Sequence, residues 1–167
     1  LATDGSLSQA KDSPVSGGFA IVDDFGHSFS SSVQCDAKTS STTLELQALK
    51  KAFLFLQAAH LTECQVVFLV DSLSAIRLIL GLDARNEDCG LLREIDEARL
   101  TLKNVQEVFI HVRSHRRTPV ALNTIADKIA GQHVNFPTER IKCEAACNSR
   151  SKCEACSWNE KVNTFLS

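Results

Sequence analysis

The sequence contains no methionine and no tyrosine, and has one tryptophan and three prolines in 167 residues. It has no basic excess: 18 Lys and Arg stand against 20 Asp and Glu, a formal net charge of −2. A protein that grips nucleic acid through a broad positive face carries more cations than this, so any phosphate binding has to come from a local arrangement. No apolar run approaches the roughly 20 residues that a membrane span requires. The longest, QVVFLV at 65–70, is strand-sized, and no membrane association is expected. The first ten residues lack the basic start and apolar stretch of a secretory signal. The absence of methionine makes Leu1 unlike a natural start and fits a fragment, an excised domain or a processed piece of a larger polypeptide.

What is present is globular: 44% of residues are hydrophobic and 23% charged, enough for one domain with a core and a tail. The cysteines number seven. Cys35, Cys64 and Cys89 are scattered, whereas Cys143, Cys147, Cys153 and Cys156 crowd the C-terminal end. An odd, uneven set argues against a secreted disulfide framework and for a reducing, intracellular setting, cytoplasm or nucleus.

Along the chain, the segments GGFAIVDD (17–24) and HSFSSSVQ (27–34) flank Phe25-Gly26 as a hairpin, and with residues 1–4 they make a three-strand meander. Residues 42–60 carry apolar side chains at helical spacing. QVVFLV is apolar without alternation, the mark of a strand buried on both faces. Helices are expected over 72–81, 89–103 and 119–132, and a strand over 106–114. The order β-β-β-α-β-α-α-β-α predicts an α/β fold with a five-stranded mixed sheet and helices on both faces. Composition changes near residue 133. The expected division is a domain of 1–133 and a Cys-rich tail or small zinc-binding appendage of 134–167.

Four carboxylates fall at informative places on this frame. Asp4 is expected at the end of the first strand, Glu45 in the first turn of the long helix, Asp71 directly after the buried strand, and Asp127 inside the last helix. Strand ends of an open sheet share an edge, and helices packed on the sheet bring side chains to it. Each residue also has a plainer reading. Asp4-Gly5 is a common turn dipeptide. Thr42-x-x-Glu45 is a capping-box pattern. Asp71-Ser72 suits a helix N-cap, and Asp127 suits a solvated helix face.

The ordered set TDGS, LELQAL, VDS and then SH and NTIAD resembles ribonuclease H of type I, most closely the domains attached to the reverse transcriptases of retroelements. The resemblance covers roughly residues 1–132. It implies that Asp4, Glu45, Asp71 and Asp127 are metal ligands for Mg²⁺, with Mn²⁺ as a substitute, and that His115 assists turnover. The implied activity is hydrolysis of the RNA strand of RNA/DNA hybrids. Phosphodiester hydrolysis needs a nucleophilic water and charge stabilisation, which two divalent ions supply. Mg²⁺ prefers hard oxygen ligands and leaves positions open for water and phosphate. Proofreading exonucleases of related fold carry Asp-x-Glu on the first strand, and here residue 6 is serine.

Candidate substrate contacts are Gly5 and Ser6 beside Asp4, Asn123 one turn before Asp127, and two further groups. RSHRR places Arg113, Arg116 and Arg117 around His115 as a phosphate clamp or a solvated loop. Ser40, Ser41 and Thr42 precede the helix of Glu45, where amides and hydroxyls suit a phosphate. A hybrid is read by shape and 2′-hydroxyls rather than base edges. The linker LDARNED is acidic where some members of the family insert a basic helix and loop. The chain in this respect resembles retroviral-type domains, which lean on the rest of a reverse transcriptase polyprotein as partner. The spacing Cys143-x3-Cys147-x5-Cys153-x2-Cys156 offers four thiolates, enough for one tetrahedral Zn²⁺, or leaves free thiols in a tail. Two other classes stay open: a catalytically weak or inactive domain that binds hybrids or acts as a scaffold, and a zinc-linked interaction module.

Overall fold

The computed structural model describes residues 1–8, 16–23, 27–35, 39–60, 63–84, 89–113, 121–135 and 140–143. Its elements run β1 (Ala2–Ser8), β2 (Ser16–Val22), β3 (His27–Gln34), α1 (Ser41–Ala58), β4 (Gln65–Val70), α2 (Leu73–Ile79), α3 (Cys89–Leu100), β5 (Gln106–His111), α4 (Ala121–Asn135) and β6 (Arg140–Cys143). The first nine follow the expected order. The sheet order is β5-β4-β1-β2-β3-β6. The pairs β1–β4 and β4–β5 are parallel, and the rest are antiparallel.

The tenth element extends the expected five-stranded sheet. Arg140–Cys143 pairs antiparallel with β3, setting Cys143 opposite His27. The stretch RIKC does alternate polar and apolar residues, but four residues are at the lower limit for reading a strand, and its pairing comes from the free edge of β3. Helix α4 also runs three residues beyond Gln132, to Asn135. Cys147, Cys153 and Cys156 lie outside the described residues.

Pleat alternation divides the core. On one face Phe19 and Ile21 of β2 join Phe68 and Val70 of β4, and these pack under α1, α2 and α3 through Leu49, Phe53, Ile76, Leu92 and Ile95. On the other, Ala2, Ala20 and Val22 pack against Ala126 and Ala130 of α4. Small residues there let α4 lie close to β1 and β2. Arg99 ties the first layer together: its guanidinium donates to Glu107 on β5 and to the carbonyl of Ile79 at the end of α2. Among the described residues no helix is long and apolar enough to cross a membrane.

Candidate metal centre

Asp4 lies inside β1 and not at its end. The strand runs on to Ser8, with Asp4 paired to Ala20, so the turn reading of TDGS does not hold. What ends beside Asp4 is β4. Its parallel pairing with β1 stops at Thr3↔Val70, and the next residue of that strand is Asp71. The two aspartates are therefore brought side by side by register. Asp4 shares its side of the pleat with Ala2, the side that α4 covers.

Glu45 arrives from α1 because Gly5 lets it. A Cβ on Gly5 would stand 2.6 Å from the backbone nitrogen of Glu45 and 2.6 Å from the carbonyl carbon of Leu44. Only a hydrogen at that position admits the first turn of α1 so close to β1. The capping box of α1 is made by Ser40 and Thr43, in place of the Thr42–Glu45 pair suggested by sequence. The Ser40 hydroxyl accepts from the Thr43 amide at 3.1 Å. Glu45 thus has no capping duty. Asp71 has none either, since Ser72 caps α2 by accepting from Ala75 N–H at 3.2 Å.

Asp4, Glu45 and Asp71 each present a carboxylate oxygen, and these oxygens all lie within 4.8 Å of one another. Asp4 and Glu45 are buried, at 3% and 4% exposure, and Asp71 is half-buried. Oε2 of Glu45 is buried with no hydrogen-bond partner among the described residues. Burial, followed by the charges of Asp71 and Asp127, pushes the Asp4 carboxyl up to about 8. Burial, followed by the charges of Asp71 and Asp4, pushes Glu45 up to about 10, against a small opposing pull from the Gly5 amide. Asp127, half-buried on α4, is close enough to act on Asp4 electrostatically but is not part of the three-carboxylate cluster.

Hard oxygens crowded together, one of them buried without a partner, suit a divalent cation such as Mg²⁺. The same crowding sets a pH dependence. A carboxyl whose folded pKa lies above its unfolded value holds its proton more tightly in the fold, so the fold gains from protonation. That gain is complete below the ordinary values of 3.8 and 4.5 and is lost as pH rises toward the folded values of about 8 and about 10. In EDTA the melting temperature is expected to fall as pH is raised from about 5 to about 9, and Mg²⁺ to restore most at the alkaline end. A metal-free melting temperature that climbs across this window would show that the cluster does not govern it.

Of the other candidates, Gly5 and Ser6 lie on β1, Ser40 and Ser41 are exposed at the start of α1 with Thr42 half-buried behind them, and Arg113 is exposed just past β5. Asn123 is buried on α4, and its Oδ1 has no partner among the described residues. His115, Arg116 and Arg117 lie outside the described residues. Sequence reasoning passed over His111, the last residue of β5. Its Nε2 lies 3.0 Å from the backbone carbonyl of Asp71. The available signal was positional: a strand parallel to β4 ends where Asp71 begins.

Among solved structures the chain is similar to LC9-RNase H1, a type 1 RNase H with the type 2 active-site motif, with a TM-score of 0.63 and 15% identity over 96% of this chain and 83% of that one. The fold is that of type 1 ribonuclease H. LC11-RNase H1 in complex with an RNA/DNA hybrid gives a TM-score of 0.59 and 22% identity, over 80% of this chain and 94% of that one. RNase H1 of the halophilic archaeon Halobacterium salinarum NRC-1 gives 0.52 and 21%, over 78% and 92%. No family model matches the chain, and no curated protein is similar to it in sequence. The likeness to ribonuclease H is thus one of shape at low sequence identity.

Proposed function

We propose that this protein is a divalent-cation-dependent endoribonuclease that hydrolyses the RNA strand of RNA/DNA hybrids. The observation that carries this reading is the meeting of Asp4, Glu45 and Asp71 from three separate elements of a ribonuclease H fold, with oxygens within 4.8 Å of one another. An inactive scaffold has no need of carboxylates whose burial and mutual repulsion destabilise it. The similarity in fold to a protein crystallised with an RNA/DNA hybrid supports the choice of substrate.

Two divalent ions bound there would supply a water made nucleophilic near neutral pH and charge stabilisation for the leaving oxygen. Asp4 and Asp71, side by side at the break in β1–β4 pairing, would present oxygens to the ions. Glu45 closes the cluster from the α1 side, and its buried Oε2, without a partner among the described residues, is available to the ion. Asp127 adds negative charge from the α4 side. His115 is assigned to proton transfer or product release. Arg113, Arg116 and Arg117 are assigned to phosphates of the hybrid, and Ser40, Ser41 and Thr42 to the complementary strand. We further propose that the domain works inside the cell, in cytoplasm or nucleus, as part of a retroelement reverse transcriptase polyprotein, with Zn²⁺ held by the tail cysteines.

Incubation with a labelled hybrid, single-stranded RNA and duplex DNA, with and without Mg²⁺, tests the central claim. Cleavage is expected of the RNA in the hybrid alone, and only with Mg²⁺ or Mn²⁺ present. Equal cutting of single-stranded RNA, or cutting undiminished in EDTA, would overturn it.

A further inference from the structure

The end of β4 is held from outside by its neighbour. Val70 and His111 are opposite one another in the parallel register of β4 and β5. The Val70 carbonyl accepts from Val112 N–H at 2.9 Å, and the Asp71 carbonyl lies 3.0 Å from Nε2 of His111. A carbonyl can only accept, so this bond requires a proton on Nε2. On the following side, Ser72 is fixed as the cap of α2. Asp71 is therefore pinned between a strand end and a helix cap, and among the described residues the side chain that fastens its own carbonyl is His111. The imidazole is exposed at the end of the edge strand.

We propose that His111 is a positioning residue for the metal centre: by holding the Asp71 carbonyl it fixes the direction in which the Asp71 carboxylate meets those of Asp4 and Glu45. The inference rests on reading those three carboxylates as cation ligands. It assigns His111 no contact with the substrate and no proton transfer. Without the bond the bend at Asp71 gains freedom, and the cation must restrict that freedom on binding. Groups that orient a ligand from outside the ligand set commonly change metal affinity by about 10- to 100-fold. The bond here acts through backbone, so the low end, about 10-fold, is expected.

The test reads metal binding directly. Melting temperature is followed against Mg²⁺, and separately Mn²⁺, for wild type, His111→Ala and His111→Gln. His111→Ala should raise the half-saturating metal concentration by about 10-fold while leaving the metal-free melting temperature almost unchanged, because the residue is exposed at an edge. His111→Gln, whose amide nitrogen can donate from nearly the same place as Nε2, should restore most of the affinity. In an Asp71→Asn background, His111→Ala should have no further effect on the midpoint. On hybrids, His111→Ala should lower kcat at limiting Mg²⁺ and leave KM for the hybrid alone. An unmoved midpoint in His111→Ala, no rescue by glutamine, or no metal-dependent stabilisation of wild type would each overturn the proposal. A wild type that takes up Mg²⁺ with this His111 dependence yet cuts no hybrid would overturn the nuclease reading and leave this one standing.

Discussion

Asp71→Asn and Asp4→Asn should each abolish hybrid cleavage while leaving the metal-free protein as stable as wild type, or more so. The two effects have one cause. Removing a charge from the cluster relieves the repulsion that adds to burial in raising Asp4 and Glu45 above ordinary carboxylates. It also removes an anionic oxygen from the cation site. Bound metal ions contribute several kcal/mol of transition-state stabilisation, and each 1.4 kcal/mol is a factor of about ten in rate, so a loss on the order of 10³-fold or more is expected. Mg²⁺-dependent stabilisation, which reaches about 2.7 kcal/mol at 100 times the dissociation constant for a single site, should shrink in both variants. A residue that merely capped a helix would behave otherwise, with activity preserved. The check is melting temperature with and without Mg²⁺ beside a cleavage time course. Normal cutting by both variants would reduce the cluster to a coincidence of acidic groups.

Gly5→Ala should be the most damaging single methyl in the described part of the chain. The added carbon would meet backbone atoms of Glu45 and Leu44 at 2.6 Å and the Leu44 Cβ at 2.8 Å. Backbone cannot swing aside as a flexible side chain does, so either α1 retreats from β1 or the strand buckles. Overpacking of this kind costs about 1–3 kcal/mol, and the upper end is expected because all three obstacles are fixed to the helix. Retreat of α1 takes Glu45 out of reach of Asp4, so cleavage and Mg²⁺ stabilisation should fail together. Gly131→Ala is the matched control: nothing lies within 4 Å of a Cβ there, and alanine in a helix interior is favoured over glycine by about 0.5–1 kcal/mol. Urea unfolding of the two variants separates them. A Gly5→Ala protein as stable and active as wild type would mean that the close packing of α1 on β1 is dispensable.

How far the sequence discloses this molecule depends on the range of the interaction concerned. Helix α1 is written in local periodicity and is legible to within two residues at either end. The buried strand β4 is legible because an unbroken apolar run of that length has few alternatives. The mixed sheet follows from the alternation of elements, and the ribonuclease H fold from the order of its motifs. Less legible was whatever depends on a partner distant in sequence. Asp4 looks like the end of a strand or a turn because Gly5 follows it, yet Gly5 serves an approach by α1, some forty residues away. Thr42 and Glu45 have capping-box spacing, but Ser40 begins the helix two residues earlier and takes Thr43 as its partner. Strand β6 exists by virtue of the open edge of β3, which RIKC itself does not announce. His111 gains its bond to Asp71 only through the parallel register of β4 and β5.

The long separations have a kinetic consequence. Asp4 and Asp71 come together through β1–β4 pairing, as in the bond from Leu69 N–H to the Leu1 carbonyl at 2.8 Å, and Glu45 joins them as α1 packs on β1. That pairing closes a large loop against chain entropy before it yields any contact energy. In a partly folded chain the three carboxylates are far apart and dilute, and no cation finds them assembled. The free energy of the proposed metal binding would therefore accrue only to molecules that have completed the β1–β4 closure. On the proposed function, a newly made chain would be chemically inert until this long-range closure is done, so that folding itself would act as the safety catch on the chemistry.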